Sequence, residues 1–374
     1  MIATRPPRVS VVMAVYNGEE YLRPAIESIL RQTFTDFELI VVNDGSTDTS
    51  RDIVLAFDDD RIRLLDNSRN LGLSPSLNRG LETARGEFVA RLDADDIATP
   101  DRLSRQVQFM DRNPEVSLVG GAYRQIDSQG RVIRRGHWPR HHVQLRWSLL
   151  FYCPFNHSGV TWRRQTVSEA VGPYDQSFRY AMDWEYWSRI ASRLRVANLR
   201  RVVTLYRLGP HSMSSNHPRV QEEIEMARRW SLRAVFGEAS SRWIAESSRL
   251  FPIVDGWPEG AGVAEVRDSV AAVAALHEDF VRRLGLSGRE LAAQRKWARD
   301  WIARRLMTAG RKAHFARRHR FGRILFVEAA RFYPRILLTV NCGRHVAAFL
   351  LSRLGLIGTN LPSLPPAAPP GQPR

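Results

Sequence analysis

The chain has 374 residues, of which 44% are hydrophobic and 25% charged. This is a globular composition, too long for one ordinary domain, and it excludes a disordered or fibrous protein. The net charge of +16 calls for a polyanionic neighbour, whether nucleic acid, anionic lipid or a phosphorylated substrate, and the two distant cysteines, Cys153 and Cys342, exclude a disulfide framework and a zinc spacing. A reducing compartment follows, and the cytoplasm is the expected location. Met1 to Arg8 is short and polar and runs straight into a strand, so no secretory signal is expected. No run of about 18 apolar residues occurs, so no membrane span is expected either.

Val9 to Tyr16 is a nearly continuous apolar run rich in β-branched residues, which predicts a strand buried on both faces. Glu19 to Arg31 follows with Leu22, Ala25, Ile26, Ile29 and Leu30 at helical period. Phe37 to Val42 is the second predicted strand, with Asn43-Asp44-Gly45-Ser46-Thr47-Asp48 as its exit turn. Ser50 to Phe57 reads as a short helix, Ile62 to Leu65 as a strand and Leu73 to Ala84 as a helix. Gly86 to Ala90 then forms a strand that leads into Arg91-Leu92-Asp93-Ala94-Asp95-Asp96. Strand and helix alternate four times, which predicts a doubly wound α/β sheet.

Ligands of such sheets bind outside the carboxyl ends of the strands. Polar groups gather there: Tyr16-Asn17 after the first strand, Asp44-Gly45-Ser46 after the second, Arg69-Asn70 after the third, Asp93-Ala94-Asp95 after the fourth. Three acids at the end of an apolar strand repel one another and resist desolvation, so a cation is expected. Hard oxygen ligands suit Mg2+ or Mn2+, bound through one or two carboxylates and a substrate phosphate. The plainer reading is a solvated turn whose Asp caps the helix after Pro100. Neither a Gly-x-Gly-x-x-Gly after the first strand nor a Gly-Lys-Ser/Thr is present, which disfavours a dinucleotide site and a P-loop.

These segments, in this order and spacing, resemble the family-2 inverting glycosyltransferases, which have the GT-A fold. The matching stretches are Val11 to Asn17, Ile40 to Asp48, Asn70-Leu71-Gly72 with Leu77-Asn78-Arg79-Gly80, Ala84 to Glu87, and Leu92 to Asp96. The resemblance covers about residues 8 to 215. It implies that Tyr16 lies against the nucleotide base, Asp44 hydrogen-bonds the base, Asp93 lies near the ribose and Asp95 binds the metal that bridges the donor diphosphate. The implied donor-binding set is Ala14, Tyr16, Asn17, Asp44, Arg69, Asn78, Asp93, Arg207 and His211. Two positions depart from the family pattern: Ala14 replaces the usual proline, and Asn43 replaces the first acid of the second motif.

Pro100 to Arg112 is a predicted helix and Val116 to Gly121 a strand. Asp127 to Arg146 is basic and loop-like, with a hairpin turn at Gln129-Gly130. His157, in Asn156-His157-Ser158, is read as a structural histidine. Asp183 stands just ahead of a helix whose aromatic face is Trp184 and Trp187, surroundings that desolvate a carboxylate and raise its basicity. The matching family position carries the catalytic base, usually in a Glu-Asp pair, which Met182 here reduces to Asp183. Glu185 is the fallback base, and a simple helix cap at Asp183 is the bland reading. The resemblance also implies that Arg207 and His211 approach the leaving diphosphate, with residues 210–217 as a mobile loop over the donor.

Beyond residue 218 the resemblance fades. Helices are predicted over Val220–Phe236, Ser240–Leu250, Val263–Leu284 and Gly288–Met307. The expected domains are 1–218, catalytic; 219–310, helical; 311–358, a basic amphipathic segment; and 359–374, a disordered Pro-rich tail. Residues 311–353 hold nine arginines and one lysine against the single acid Glu328, which fits peripheral contact with an anionic membrane at the inner face of the cell membrane. The expected function is metal-dependent inverting sugar transfer from a nucleotide-diphosphate sugar to a saccharide or lipid-linked acceptor, in polysaccharide or glycolipid assembly. Two alternatives stay open: a nucleotidyltransferase acting on sugar phosphates, and a basic nucleic-acid-binding protein. The first lacks a basic Gly-rich loop, and the second lacks a reader motif, so no specific nucleic acid is expected.

Overall fold

The computed structural model describes residues 5–208 and 218–338. The expectations for His211, the loop at 210–217, residues 339–358 of the basic segment and the Pro-rich tail lie outside the described residues. The chain divides into two compact units between Ala245 and Glu246.

The first unit opens with β1 (Val9–Val15), α1 (Leu22–Leu30), β2 (Phe37–Asn43), α2 (Ser50–Leu55), β3 (Ile62–Asp66), α3 (Leu73–Thr83) and β4 (Phe88–Arg91). β1 pairs in parallel with β2 and β4, and β2 with β3. β1 and β2 are buried along their whole length, the reason their sequences read as unbroken apolar runs. Alternate side chains enter two different cores. Val12, Ala14, Ile40, Val42 and Val89 pack with Leu77 of α3, whereas Val11, Met13, Leu39, Val41 and Ala90 pack with Ala25, Ile26 and Ile29 of α1.

The unit continues with β5 (Ile97–Ala98), α4 (Arg102–Arg112), β6 (Val116–Ile126), β7 (Val132–Gly136), α5 (His142–Leu149) and β8 (Thr161–Arg163). It ends with α6 (Arg164–Val171), α7 (Met182–Arg193), β9 (Arg195–Arg207), α8 (Pro218–Phe236) and α9 (Ser240–Ala245). The sheet order is β3-β2-β1-β4-β8-β6-β9-β5, with β7 on β6. β8 runs antiparallel to β4 and β6, and β9 runs parallel to β6. The result is a mixed, doubly wound α/β sheet. Leu103, Val107 and Met110 of α4 join the α1 core, and Leu145, Leu149, Trp184, Trp187 and Ile190 of α5 and α7 join the α3 core.

The basic stretch read as a loop holds β7 and α5, and β9 had no counterpart in the sequence reading. α8 packs on α7, with Ser188 Oγ and Ser231 Oγ 2.9 Å apart, and Arg228 Nε donates to the Phe151 carbonyl at 3.2 Å. It thus lies within the first unit, beyond the boundary drawn at 218.

The second unit comprises α10 (Ser247–Leu250), α11 (Pro252–Asp255), α12 (Val263–Arg283), α13 (Gly288–Phe315) and α14 (His319–Phe332). Leu276, Phe280, Ile302, Leu306 and Leu325 are buried in it. An Arg267–Glu328 ion pair at 2.9 Å ties α12 to α14. The helix predicted over Ser240–Leu250 breaks at Glu246, and the one predicted to end at Met307 runs to Phe315. Among the described residues, no helix is long and apolar enough to cross a membrane.

Candidate active site

The exits of β1, β2 and β4 lie side by side because these strands are paired in register. Asn17 leaves β1 with φ +48°, a left-handed turn that Asn tolerates. Its backbone N–H donates to Ser46 Oγ at 3.0 Å, and its Oδ1 accepts from the Thr47 N–H at 2.8 Å. Gly18 N–H donates to Ser50 Oγ at 2.9 Å, and Glu19 Oε2 accepts from Thr49 Oγ1 at 2.6 Å. Most of the polar residues in the two exit turns therefore brace one turn against the other. Tyr16 is left exposed beside them, while Ala14 is buried in β1.

Asp44 is 3% exposed. Its Oδ1 accepts from Asn67 Nδ2 at 2.7 Å and the Leu71 N–H at 2.9 Å, and its Oδ2 accepts from the Gly72 N–H at 2.9 Å. The carboxylate thus closes the 67–72 loop, which carries the exposed Arg69. Gly45 has φ +70°, and a Cβ there would lie 2.5 Å from the Arg69 carbonyl carbon, so only glycine lets the two loops touch. Asn78 is buried, its amide exchanging two 2.9 Å hydrogen bonds with the Tyr174 backbone. It joins α3 to the segment ahead of α7.

The three acids after β4 differ sharply. Asp93 accepts from the buried Arg91 guanidinium and from Ser158 Oγ at 2.5 Å. Burial pushes its pKa up, but Arg91 and Ser158 outweigh that and hold it below the usual carboxylate range. Asp96 is fully buried. Its Oδ1 accepts from the Arg207 N–H at 2.7 Å, its Oδ2 has no hydrogen-bond partner among the described residues, and burial followed by Asp95 and Asp93 raises its pKa well above the usual value. Asp95 is open to solvent on one side and backed by protein on the others. Among the described residues its carboxylate makes no salt bridge or side-chain hydrogen bond, and desolvation and then Asp93 raise its pKa to about 6.

Arg207 does not reach outward toward a phosphate. Its Nε donates to the Asp95 carbonyl at 2.8 Å, and one terminal nitrogen donates to the carbonyls of Asp127 at 2.8 Å and Ser128 at 3.1 Å. Its guanidinium stacks 4.2 Å from the Tyr21 ring centre. It clamps the acidic turn to the turn between β6 and β7.

Asp183 lies in the first turn of α7, half-buried. Its Oδ1 accepts from the Trp184 N–H at 2.7 Å, and Cys153 Sγ lies 3.8 Å from its Oδ2 as a weak donor. Burial, with a contribution from the charge on Asp93, raises its pKa to about 6. Glu185 is buried and bound through both oxygens to Arg189, at 2.6 and 2.9 Å, so it is closed off as a fallback base. His157 is held neutral, its pKa lowered to about 3 by burial and Arg91, and its Nε2 lies 3.2 Å from Tyr174 Oη.

One site residue escaped the sequence reading. Glu223 of α8 accepts from the backbone N–H groups of Arg179, Tyr180 and Ala181 at 2.6–3.1 Å, capping the approach to α7 and Asp183. No sequence spacing signals it, because donor and acceptor lie over 40 residues apart.

The family model described as Glycosyl transferase family 2 matches residues 10–172. The glucosyltransferase WfgD of Escherichia coli is 31% identical over 232 residues, covering 62% of this chain and 87% of that protein. The amylovoran biosynthesis glycosyltransferase AmsE of Erwinia amylovora is 33% identical over 226 residues, covering 59% and 84%. The chain belongs to glycosyl transferase family 2. As a family-2 enzyme it is a glycosyltransferase, which decides against the nucleotidyltransferase alternative. The crystal structure of S. aureus TarS 1-349 in complex with UDP-GlcNAc matches it with a TM-score of 0.55 at 18% identity, covering 87% of this chain and 91% of that one, in keeping with a GT-A fold.

Within this family-2 fold, Tyr16, Asn17, Asp44, Arg69, Asp93 and Asp95 follow the carboxyl ends of β1 to β4, with Asp44 buried like Ala14 and Asn78, and Asp183 stands in the first turn of α7. Among the described residues no three His, Cys, Asp or Glu side chains form a ready metal cage. Asp95 nevertheless fits a hard cation. It is an under-compensated carboxylate open on one side, the kind of single protein ligand that Mg2+ or Mn2+ takes alongside phosphates and water.

Proposed function

We propose that this glycosyltransferase is a metal-dependent, inverting enzyme acting on a nucleotide-diphosphate sugar, with Asp183 as base. The observation that carries the reading is Asp183 itself: a half-buried carboxyl in the first turn of α7, raised to a pKa of about 6 by burial and by the charge on Asp93. At neutral pH it is ionised yet more basic than a surface aspartate, as a general base should be. In a single displacement, the acceptor oxygen bonds to the anomeric carbon as the bond from that carbon to the donor phosphate breaks. The acceptor proton passes to Asp183 Oδ2, and the nucleoside diphosphate leaves on the opposite face. A divalent ion at Asp95 would supply charge stabilisation for the leaving diphosphate.

Tyr16 offers a ring face to the nucleotide base, the Asp44-ordered loop forms the base-side wall, and exposed Arg69 is positioned for the diphosphate. Asp93, fixed by Arg91 and Ser158, is the ribose contact. WfgD is named for transfer to a GlcNAc-diphosphoundecaprenol, and AmsE for amylovoran biosynthesis. By likeness, the acceptor here is a lipid-linked saccharide in polysaccharide assembly. Anionic-membrane contact through the basic segment from 311 fits that acceptor; there Phe315 is 78% exposed and lies between Lys312 and Arg317.

The test is a melting-temperature screen of UDP, GDP, CDP and TDP with and without Mn2+. One diphosphate should stabilise the chain by a few degrees only when metal is present, and Asp95→Ala should remove that increment. With the matching nucleotide sugar, Asp183→Asn should keep the increment but lower turnover by at least about a hundredfold. Unchanged turnover in Asp183→Asn would remove the base assignment.

A further inference from the structure

β7 is an edge strand paired only with β6 among the described residues. Its base is rigid. A Cβ on Gly136 would overlap the Tyr123 ring, and that ring stacks on Trp138 at 5.3 Å, which in turn meets Tyr152 at 6.0 Å. Its turn is fixed by Arg207 through the Asp127 and Ser128 carbonyls, next to Asp95. Between these anchors Val132 is 47% and Ile133 is 56% exposed. Gln125 pairs with Arg134 and Ile126 with Val132, so Ile133 is the extra residue of a bulge and the apolar pair stands on an irregular, uncovered stretch of the edge. Arg134, Arg135 and Arg140 are exposed and make no ion pair or side-chain hydrogen bond among the described residues. Residues 124–141 hold five arginines against the single acid Asp127.

We propose that the β6–β7 hairpin is a membrane-contacting lip that holds the cleft against an anionic bilayer. Three features select this occupant. A second copy pairing edge to edge would bring Arg134 and Arg135 against their own counterparts, and such like-charge contacts oppose association. An added peptide strand needs a regular ladder, which the extra residue at Ile133 interrupts. A headgroup layer needs no ladder register, and its phosphates meet the exposed arginines beside the apolar pair. The lip is separate from the basic segment beginning at 311, and because Arg207 ties it to Asp95 it would bring the cleft to the surface where a lipid-linked acceptor resides.

The experiment needs no sugar donor, so it can fail independently of the transferase mechanism. In the full chain with Cys153→Ser and Cys342→Ser, an environment-sensitive fluorophore is placed at Ile133→Cys or, as a control on α2, at the equally exposed Leu55→Cys. Vesicles of phosphatidylcholine with about 30% phosphatidylglycerol should blue-shift the probe at 133, and lipid-borne quenchers should dim it. The probe at 55 should stay unchanged, as should both probes with phosphatidylcholine alone. Arg134→Glu with Arg135→Glu should weaken vesicle co-sedimentation at least about fivefold at low salt. The proposal is overturned if the chain sediments with vesicles while the probe at 133 stays in water, or if the double variant binds as before. A concentration-dependent dimer abolished by the double variant would likewise overturn it, in favour of a second copy.

Discussion

Asp183 and Glu185 stand two residues apart in one helical turn, and their neighbours give them opposite roles. Arg189 neutralises Glu185 through both oxygens, while among the described residues Asp183 accepts from a backbone N–H and a weak thiol donor. The folded pKa of Asp183, about 6, lies above the unfolded value of 3.8, so the fold favours its protonated form. The stability this contributes is complete below about pH 4 and is lost as the pH rises through 6. Catalysis has the opposite dependence, since the base must be ionised, and turnover should rise through an acid limb near pH 6. Asp183→Asn is therefore expected to abolish turnover yet raise the melting temperature at pH 8 by a degree or a few, on the order of 1 kcal/mol. Calorimetry beside a pH–rate profile checks both signs, and a variant less stable at pH 8 would contradict the assignment. The sequence singled out Asp93, Asp95 and Asp183, because acids at the end of an apolar strand or among tryptophans are costly to desolvate. It did not show that Asp96 would be a buried tie to β9, or that Asp44 would close a loop. Those roles depend on partners such as Arg207, Asn67 and Gly72, which are brought in by tertiary structure.

At the level of elements, legibility followed burial. β1, β2 and β4 were readable because parallel strands covered on both faces are nearly pure apolar runs. β9 was not, because Asn198, Arg200 and Arg201 interrupt its pattern where its pairing with β6 shifts register. β7 carries no inward face at all, so no alternation could mark it. The loop contact at Gly45 provides a test at this scale. Gly45→Ala must adopt φ +70° and push its Cβ against the Arg69 backbone, which should cost at least about 2 kcal/mol. Nucleotide affinity should fall further than stability alone explains, since the Asp44 loop is displaced. Denaturant midpoints measured beside diphosphate binding would show it, and a loss of stability with intact affinity would separate the loop from the donor site.

For the whole molecule, the boundary drawn at 218 followed the end of the family resemblance, but the compact unit runs to Ala245. The difference is α8, whose Glu223 caps the approach to α7 and whose Arg228 donates to the Phe151 carbonyl. A chain ending at 245 is expected to melt cooperatively and bind diphosphate. One ending at 218 removes the cap from three backbone N–H groups and uncovers buried Trp184 and Ser188, which meet Arg228 and Ser231 of α8, and should be molten or aggregate. In the longer piece, Glu223→Ala should speed amide exchange at residues 179–181 about tenfold or more. Equal behaviour of the two truncations would show that α8 is dispensable.

The Arg207 clamp also bears on how such an enzyme can diversify. Its acceptors at 95, 127 and 128 are main-chain carbonyls, which every amino acid supplies. Side chains at the hairpin turn can therefore drift without loosening the acidic turn. The arginine itself has no such latitude. Constancy at one position is what makes variability at its neighbours tolerable.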